Sequence, residues 1–272
     1  MPETRRLKLI VSYDGRDFAG WQSQKHGNTI QDQIERSFAK ICGRRVAVAG
    51  AGRTDAGVHA LGQCAHADVP ATKKLLDWVK ALNGTLPLTI RILRARFVSE
   101  NFHARFSARA KLYRYRILNT AVPSPFELGR AWHIAQPLDL HALKAGAALF
   151  VGRHDFAGFA ANRGKKETDT MRTIESARIV RRRGIIMMEL WGDGFLYKMV
   201  RMMVGALVRC ALGKAPLERI VARLGDAPIK GTDCFGETPE PALGTSALSE
   251  LRGGRSVLVA PAEGLYLMRI RY

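Results

Sequence analysis

Gly52 to Gln63 reads GRTDAGVHALGQ and sets an acid, Asp55, between two glycines with the cation Arg53 close by. Gly52 and Gly57 can take backbone angles closed to other residues, so the spacing predicts that Asp55 is presented on a shaped loop. A carboxylate that acts as a nucleophile must stay ionised when substrate displaces water, and a neighbouring cation favours the ionised form. A lone Asp-Ala-Gly is more often a turn in which the aspartate caps its own backbone. A second group is Tyr113-Arg114-Tyr115-Arg116. On a strand the tyrosines share one face and the arginines the other. Aromatic faces can stack a splayed base and guanidinium groups can hold phosphate, although core packing explains the tyrosines equally well. Third, Arg201 sits among Met199, Val200, Met202 and Met203. A helix arginine normally extends to water; a buried one needs a carboxylate, and Asp55 is the best candidate. His59 and His103 are candidate bases, against the commoner use of histidine as a loop support. His59, Cys64 and His66 lack a nearby second Cys/His pair to close a zinc site, so no metal is expected.

The whole string around Asp55 is more specific than its parts. GRTDAGVHALGQ resembles the signature of the tRNA pseudouridine synthase A family. Tyr13-Asp14-Gly15, Gly20-Trp21-Gln22 and Thr29-Ile30-Gln31 resemble the family's opening. Phe102-His103-Ala104-Arg105-Phe106-Ser107-Ala108 with Tyr113-Arg114-Tyr115, then Phe195, Met199-Val200-Arg201 and Val204-Gly205, resemble later motifs, and Ala262-Glu263-Gly264-Leu265-Tyr266-Leu267 the last one. The likeness spans nearly the whole chain, in order. It implies that Asp55 is the catalytic aspartate, Arg201 its partner, Tyr113 the tyrosine packed on the target base and Leu265 an apolar wall. Arg53 is expected to bind substrate beside them, and Arg105, Lys111 and Arg114 to hold RNA. The implied reaction breaks the N-glycosidic bond of a uridine, turns the base and rejoins it through carbon. As an isomerisation it implies no redox cofactor. The implied substrate is the anticodon stem-loop of tRNA, at positions 38, 39 and 40, bound by a homodimer. One departure is Asp226 to Arg255, which is longer than the connection expected before the last strand; another is Ala65-His66-Ala67, less apolar than usual.

These side chains must be positioned by regular elements. Leu7, Leu9, Val11 and Tyr13 alternate as a strand does, ending at Asp14-Gly15. Thr29 precedes Ile30, Ile34, Phe38 and Ile41 at helical spacing, with Gly43 placed to stop the helix. Strands at 46–49 and 62–69, a helix from Leu75 to Leu82 and a strand at 90–98 complete a β-α-β-β-α-β order, that of a ferredoxin-like unit. The second part repeats the order, with a strand at 112–118, a helix at 138–150, a hairpin of 174–181 and 185–191, helices at 196–212 and 217–224, and a strand at 265–270. The expected fold is α+β. Two ferredoxin-like (RRM-like) halves, residues 1–108 carrying the Asp loop and residues 109–272 completing the pocket, share a mostly antiparallel sheet with a central cleft. The stretches 162–170 and 226–255 read as loops.

Composition narrows the partner. The 272 residues carry 43 Lys and Arg against 24 Asp and Glu, a net charge of +19. Solubility alone needs a net charge of about 2 to 8, so a polyanion is favoured. The four cysteines are scattered, as in a reducing compartment. No apolar run reaches bilayer length, and the protein is expected in the cytoplasm with no membrane contact. A catalytically silent tRNA-binding protein on the same fold is the alternative; intact Asp55, Tyr113 and Arg201 argue against it. A DNA-binding structural protein should show a recognition helix or a repeated basic arm. A zinc deaminase should show H-x-E and P-C-x-x-C. None of these is present.

Overall fold

The computed structural model describes residues 3–25, 27–73, 75–161, 169–225 and 259–272. Strand β1 spans Thr4–Tyr13, and its alternate residues Leu7, Leu9, Val11 and Tyr13 are all buried in the main core. Helix α1, Ile30–Cys42, begins where the Thr29 hydroxyl accepts the amide of Asp32 at 3.2 Å and ends at Gly43, which takes a left-handed φ of 72°. Ile30, Ile34 and Phe38 form its buried stripe, the face that packs on the sheet. Strands β2 (Val48–Gly50), β3 (His59–Pro70) and β4 (Ile90–Phe97) follow the expected order. Helix α2 is shorter than its apolar spacing predicts, covering only Trp78–Asn83. Asp77 caps it by accepting the amide of Lys80 at 3.1 Å, which leaves Leu75 outside the helix and 91% exposed.

Beyond β5 (Ala110–Leu118) come β6 (Trp132–His133), α3 (Leu140–Ala148), β7 (Gly152–Asp155), β8 (Met171–Arg182), β9 (Ile185–Gly192), α4 (Met199–Ala211), α5 (Glu218–Val221) and β10 (Leu265–Arg271). The hairpin between β8 and β9 turns through Arg183 and Gly184, whose φ values are 49° and 77°, as a tight right-twisting turn requires. Strands β6 and β7 carry no sequence signal because they are too short to show a period. The helix expected over 217–224 is a single turn, since Leu217 offers no side-chain cap and Gly225 is drawn off to exchange backbone hydrogen bonds of 3.1 Å with Asp155. The loop readings at 162–168 and 226–255 lie outside the described residues. No helix among the described residues is long and apolar enough to cross a membrane.

One mixed, mostly antiparallel sheet joins everything, in the order β4-β1-β3-β10-β5-β9-β8-β7, with β2 on β3 and β6 on β5. In the first half β4-β1-β3-β2 has the strand order of a ferredoxin-like unit, and β10-β5-β9-β8 repeats it. The seam between them is a short parallel pairing, Tyr266 opposite His59 and Leu267 opposite Ala60. Gly62 permits it, because a Cβ there would lie 2.4 Å from the carbonyl oxygen of Met268. Further along, β3 pairs instead with β2, Gly50 opposite Ala65. The loop from β2 to β3 therefore emerges where β3 changes partner.

A smaller core of Ala51, Cys64 and Ala104, with Ile10, Phe102, Ile270 and Tyr272 packed around it, is separate from the main one. Here the His66 ring accepts the amide of Ala104 through Nδ1 at 3.2 Å. That bond needs a neutral imidazole, and burial, with His103 nearby, pushes the His66 pKa down to about 4. Between pH 6.5 and about 4 the unfolded chain binds a proton that the folded chain refuses, so stability falls as pH falls through this window. Urea midpoints at pH 7 and pH 5 should show it. His66→Asn, which does not titrate, should lose up to about 2 kcal/mol of the difference between those two pH values. An unchanged difference would remove His66 from the acid response.

Candidate active site

The β2–β3 loop is fastened at several points before any substrate arrives. The amide of Trp21 donates to the Thr54 carbonyl at 3.0 Å. The buried hydroxyls of Thr54 and Tyr13 are 2.8 Å apart, and Gln63 Nε2 donates to the Gly52 carbonyl at 2.8 Å. Gly57 takes a φ of 78°, as the sequence suggests. Gly52, by contrast, has no positive φ, and an added Cβ would only come into ordinary contact with Lys111 Nζ, at 3.4 Å. Fixed on this loop, Asp55 points into a cleft of about 510 Å3, within the usual range of a ligand site.

Arg201 reaches Asp55 from the first turn of α4. Its Nη1 is 3.3 Å from Asp55 Oδ2, and its Nε donates to the carbonyl of Ala260 at 2.7 Å. The backbone returns the contact, the Ala260 amide donating to the Arg201 carbonyl at 3.1 Å. One guanidinium thus ties the acid to the chain segment entering β10. The helix begins at Met199 rather than at Leu196 because Lys198 is left-handed, with φ 58°. This uncommon angle for a side chain with a Cβ swings Phe195 and Leu196 to the cleft wall.

Tyr113, from β5, is buried and meets Phe195 edge to face with ring centroids 5.0 Å apart. Burial pushes its phenol pKa up, with Tyr13 and Asp55 nearby adding to the rise, so the hydroxyl stays neutral at ordinary pH. Leu265, Arg53, Arg105 and Lys111 all line the same cleft. Arg53 is exposed and its Nε donates to Gln22 Oε1 at 3.2 Å. The Lys111 ammonium pKa is pushed down by burial and then by Arg105 and Arg172. Arg114 stands apart, because its Nε donates to Glu189 at 2.8 Å across the β5–β9 pair and it does not line the cleft. Arg116 likewise pairs with Glu127, at 2.8 Å.

The two candidate bases divide. His59 is buried away from the cleft, its Nδ1 accepting the Gly15 amide at 3.2 Å and its ring stacked on Tyr266 at 4.5 Å. His103 lines the cleft, but its Nδ1 accepts the amides of Arg105 and Phe106. In both rings Nδ1 is engaged as a hydrogen-bond acceptor. Sequence reasoning gives no role to Arg172, Phe195 or Phe106, all of which line the cleft. Phe106 and Phe195 stand in segments singled out by resemblance, whereas nothing local marks Arg172. A carboxylate beside a guanidinium, an aromatic wall and an aliphatic wall make a slot that fits a flat, partly polar ring, with the carboxylate at its edge.

The profile of a family described as tRNA pseudouridine synthase matches residues 9–107 and 147–228. A tRNA pseudouridine synthase A of Akkermansia muciniphila is 42% identical over 98% of this chain and 95% of its own length. A protein of the same name from Acetivibrio thermocellus is 37% identical over 98% of this chain and all of its own. One from Methylacidiphilum infernorum is 44% identical over 76% of this chain and 81% of its own. The family match and the relatives define an isomerase class, and the chain belongs to the tRNA pseudouridine synthase family.

Lysine cannot reproduce the two-way grip of Arg201, since an ammonium lacks the guanidinium's planar fork. Arg201→Lys should therefore lower kcat by about 10- to 100-fold, roughly 1.4 to 2.7 kcal/mol of barrier, while leaving RNA affinity within about threefold. Single-turnover kinetics and filter binding would check both numbers, and a fall in affinity as large as the fall in rate would contradict this division of labour.

Proposed function

We propose that this protein isomerises uridine to pseudouridine in the anticodon stem-loop of tRNA, at positions 38 to 40, with Asp55 as the nucleophile. The observation that carries the reading is that Asp55, paired with Arg201 at 3.3 Å, lines a cleft also walled by Tyr113 and Leu265. The two halves of the chain, 1–108 and 109–272, divide the task. The first supplies Asp55 and Arg53; the second supplies Arg201, Tyr113 and Leu265. A target base inside a helix cannot reach a recessed carboxylate, so it is flipped out, at least cost where pairing is weak. Tyr113 packs against its face while Asp55 forms a covalent bond to the nucleotide as the bond from N1 to the ribose breaks. The uracil turns, C5 bonds to the ribose and gives up its proton, N1 gains one, and Asp55 is released. Atoms and charges balance without a cofactor.

The net charge of +19 supports a polyanionic substrate, and the relatives named as tRNA pseudouridine synthases support tRNA. Positions 38 to 40, a homodimer and a cytoplasmic site of action rest on the family resemblance of the motifs. Mapping pseudouridine in tRNA from cells with and without the protein tests the position, and light scattering tests the dimer.

Asp55→Ala should abolish pseudouridine formation and leave tRNA affinity nearly unchanged, because phosphate contacts and stacking supply most of the affinity. Tritium release from 5-tritiated uridine reports turnover, and a filter-binding titration reports affinity. Release at the unaltered rate would sink the assignment of Asp55. Affinity of the unaltered protein should also fall steeply with salt, each phosphate contact adding about 0.7 to 0.9 to the logarithmic slope. A flat dependence would mean that the charge serves something else.

A further inference from the structure

Phe106 lines the cleft yet is 78% exposed, and Arg105, Lys111 and Arg172 line the same cleft. Its loop is not loose. The amide of His103 donates to Ser107 Oγ at 3.0 Å, and the amide of Ser107 donates back to the His103 carbonyl at 2.9 Å. His103 Nδ1 accepts the amides of Arg105 at 3.1 Å and Phe106 at 3.2 Å. The His103 ring then backs the Phe106 ring, with centroids 4.3 Å apart and planes 30° from parallel. His103 in turn meets His66 of β3 edge-on at 4.7 Å, so the stack is rooted in the sheet. The Arg105 guanidinium stands 5.7 Å from the Phe106 centroid, and most of the ring faces solvent.

A rigid aromatic ring, backed by His103, with Arg105 at hand and further cations along the same cleft, suits a nucleobase whose own phosphates lie close by. Lys111, whose ammonium pKa burial lowers first of all, has Arg105 and Arg172 as charged neighbours, with Asp193 acting in the opposite direction. Arg172 also reaches Asp169, at 3.5 Å, but that carboxylate is largely exposed, and such surface pairs are weak. The occupant must be an unstacked nucleotide, since a base within a duplex presents no free face. Resting on the function proposed above, we propose that Phe106 is a stacking platform for a nucleotide flanking the uridine that enters the cleft, holding the strand open while the target is out.

The test uses an anticodon stem-loop RNA carrying 2-aminopurine at one or the other neighbour of the target uridine, with pseudouridine formation followed in the same samples. The unaltered protein should quench one of the two probes on binding. Phe106→Ala should lose that quenching and raise KM about tenfold, with kcat within about threefold. Phe106→Trp should restore both, whereas Phe106→Leu should restore neither, which separates stacking from mere apolar contact. The ring is exposed, so thermal unfolding should not change in any variant. Quenching and KM that survive in the alanine or leucine variant would overturn the proposal. If the unaltered protein made no pseudouridine, the function reading would fail, and the 2-aminopurine signal would still decide the stacking.

Discussion

Asp55 retains 22% of its side-chain exposure, and a base entering the cleft would displace the water behind that figure. A carboxylate losing its solvent must find a compensating charge or give up its own. Arg53, two residues away on the same loop, hydrogen-bonds Gln22 rather than Asp55. The compensating cation is Arg201, separated from Asp55 by 146 positions in the chain. Arg201 is itself only 14% exposed, so each partner makes the other's burial tolerable. Much of the architecture follows from bringing these two distant groups together and keeping them there.

The seam of the sheet does that work. Strand β3 spends one end on β10 and the other on β2, and the acid's loop emerges between the two pairings. Strand β10 carries Leu265 to the cleft wall, and the residue shortly before it, Ala260, is held by Arg201 from both its carbonyl and its amide. A shift at the seam would therefore move the carboxylate, the arginine and the aliphatic wall together. Effects of substitutions within such a unit are not additive.

Local chemistry made much of this legible in the sequence. The alternation in β1, the Thr29 cap and Gly43 stop of α1, and the turn at Arg183 and Gly184 are each fixed by neighbours a few residues away. The apolar setting of Arg201 pointed to burial, and burial pointed to an acid. Long-range choices left no such trace. Nothing in Gly62 or Met268 alone announces that β3 will run beside β10, and Arg114 differs from any other strand arginine only because Glu189 lies across from it. Short elements leave no trace either, since the two residues of β6 cannot display a period. At the start of α2, Leu75 continues the apolar spacing, yet Asp77 decides the boundary by accepting the backbone amide of Lys80.

Strand β10 follows every other described strand in the chain, yet it lies near the middle of the sheet, between β3 and β5. A ribosome delivers the chain in order, and domains tend to fold as they emerge. Each flanking group of strands can pair within itself, but the gap between them stays open until β10 arrives to fill it. Such late closure over a long intervening chain carries a large contact order and is intrinsically slow. The order of synthesis therefore leaves until late the part of the cleft wall that β10 carries, Leu265, and the strand that joins the two groups.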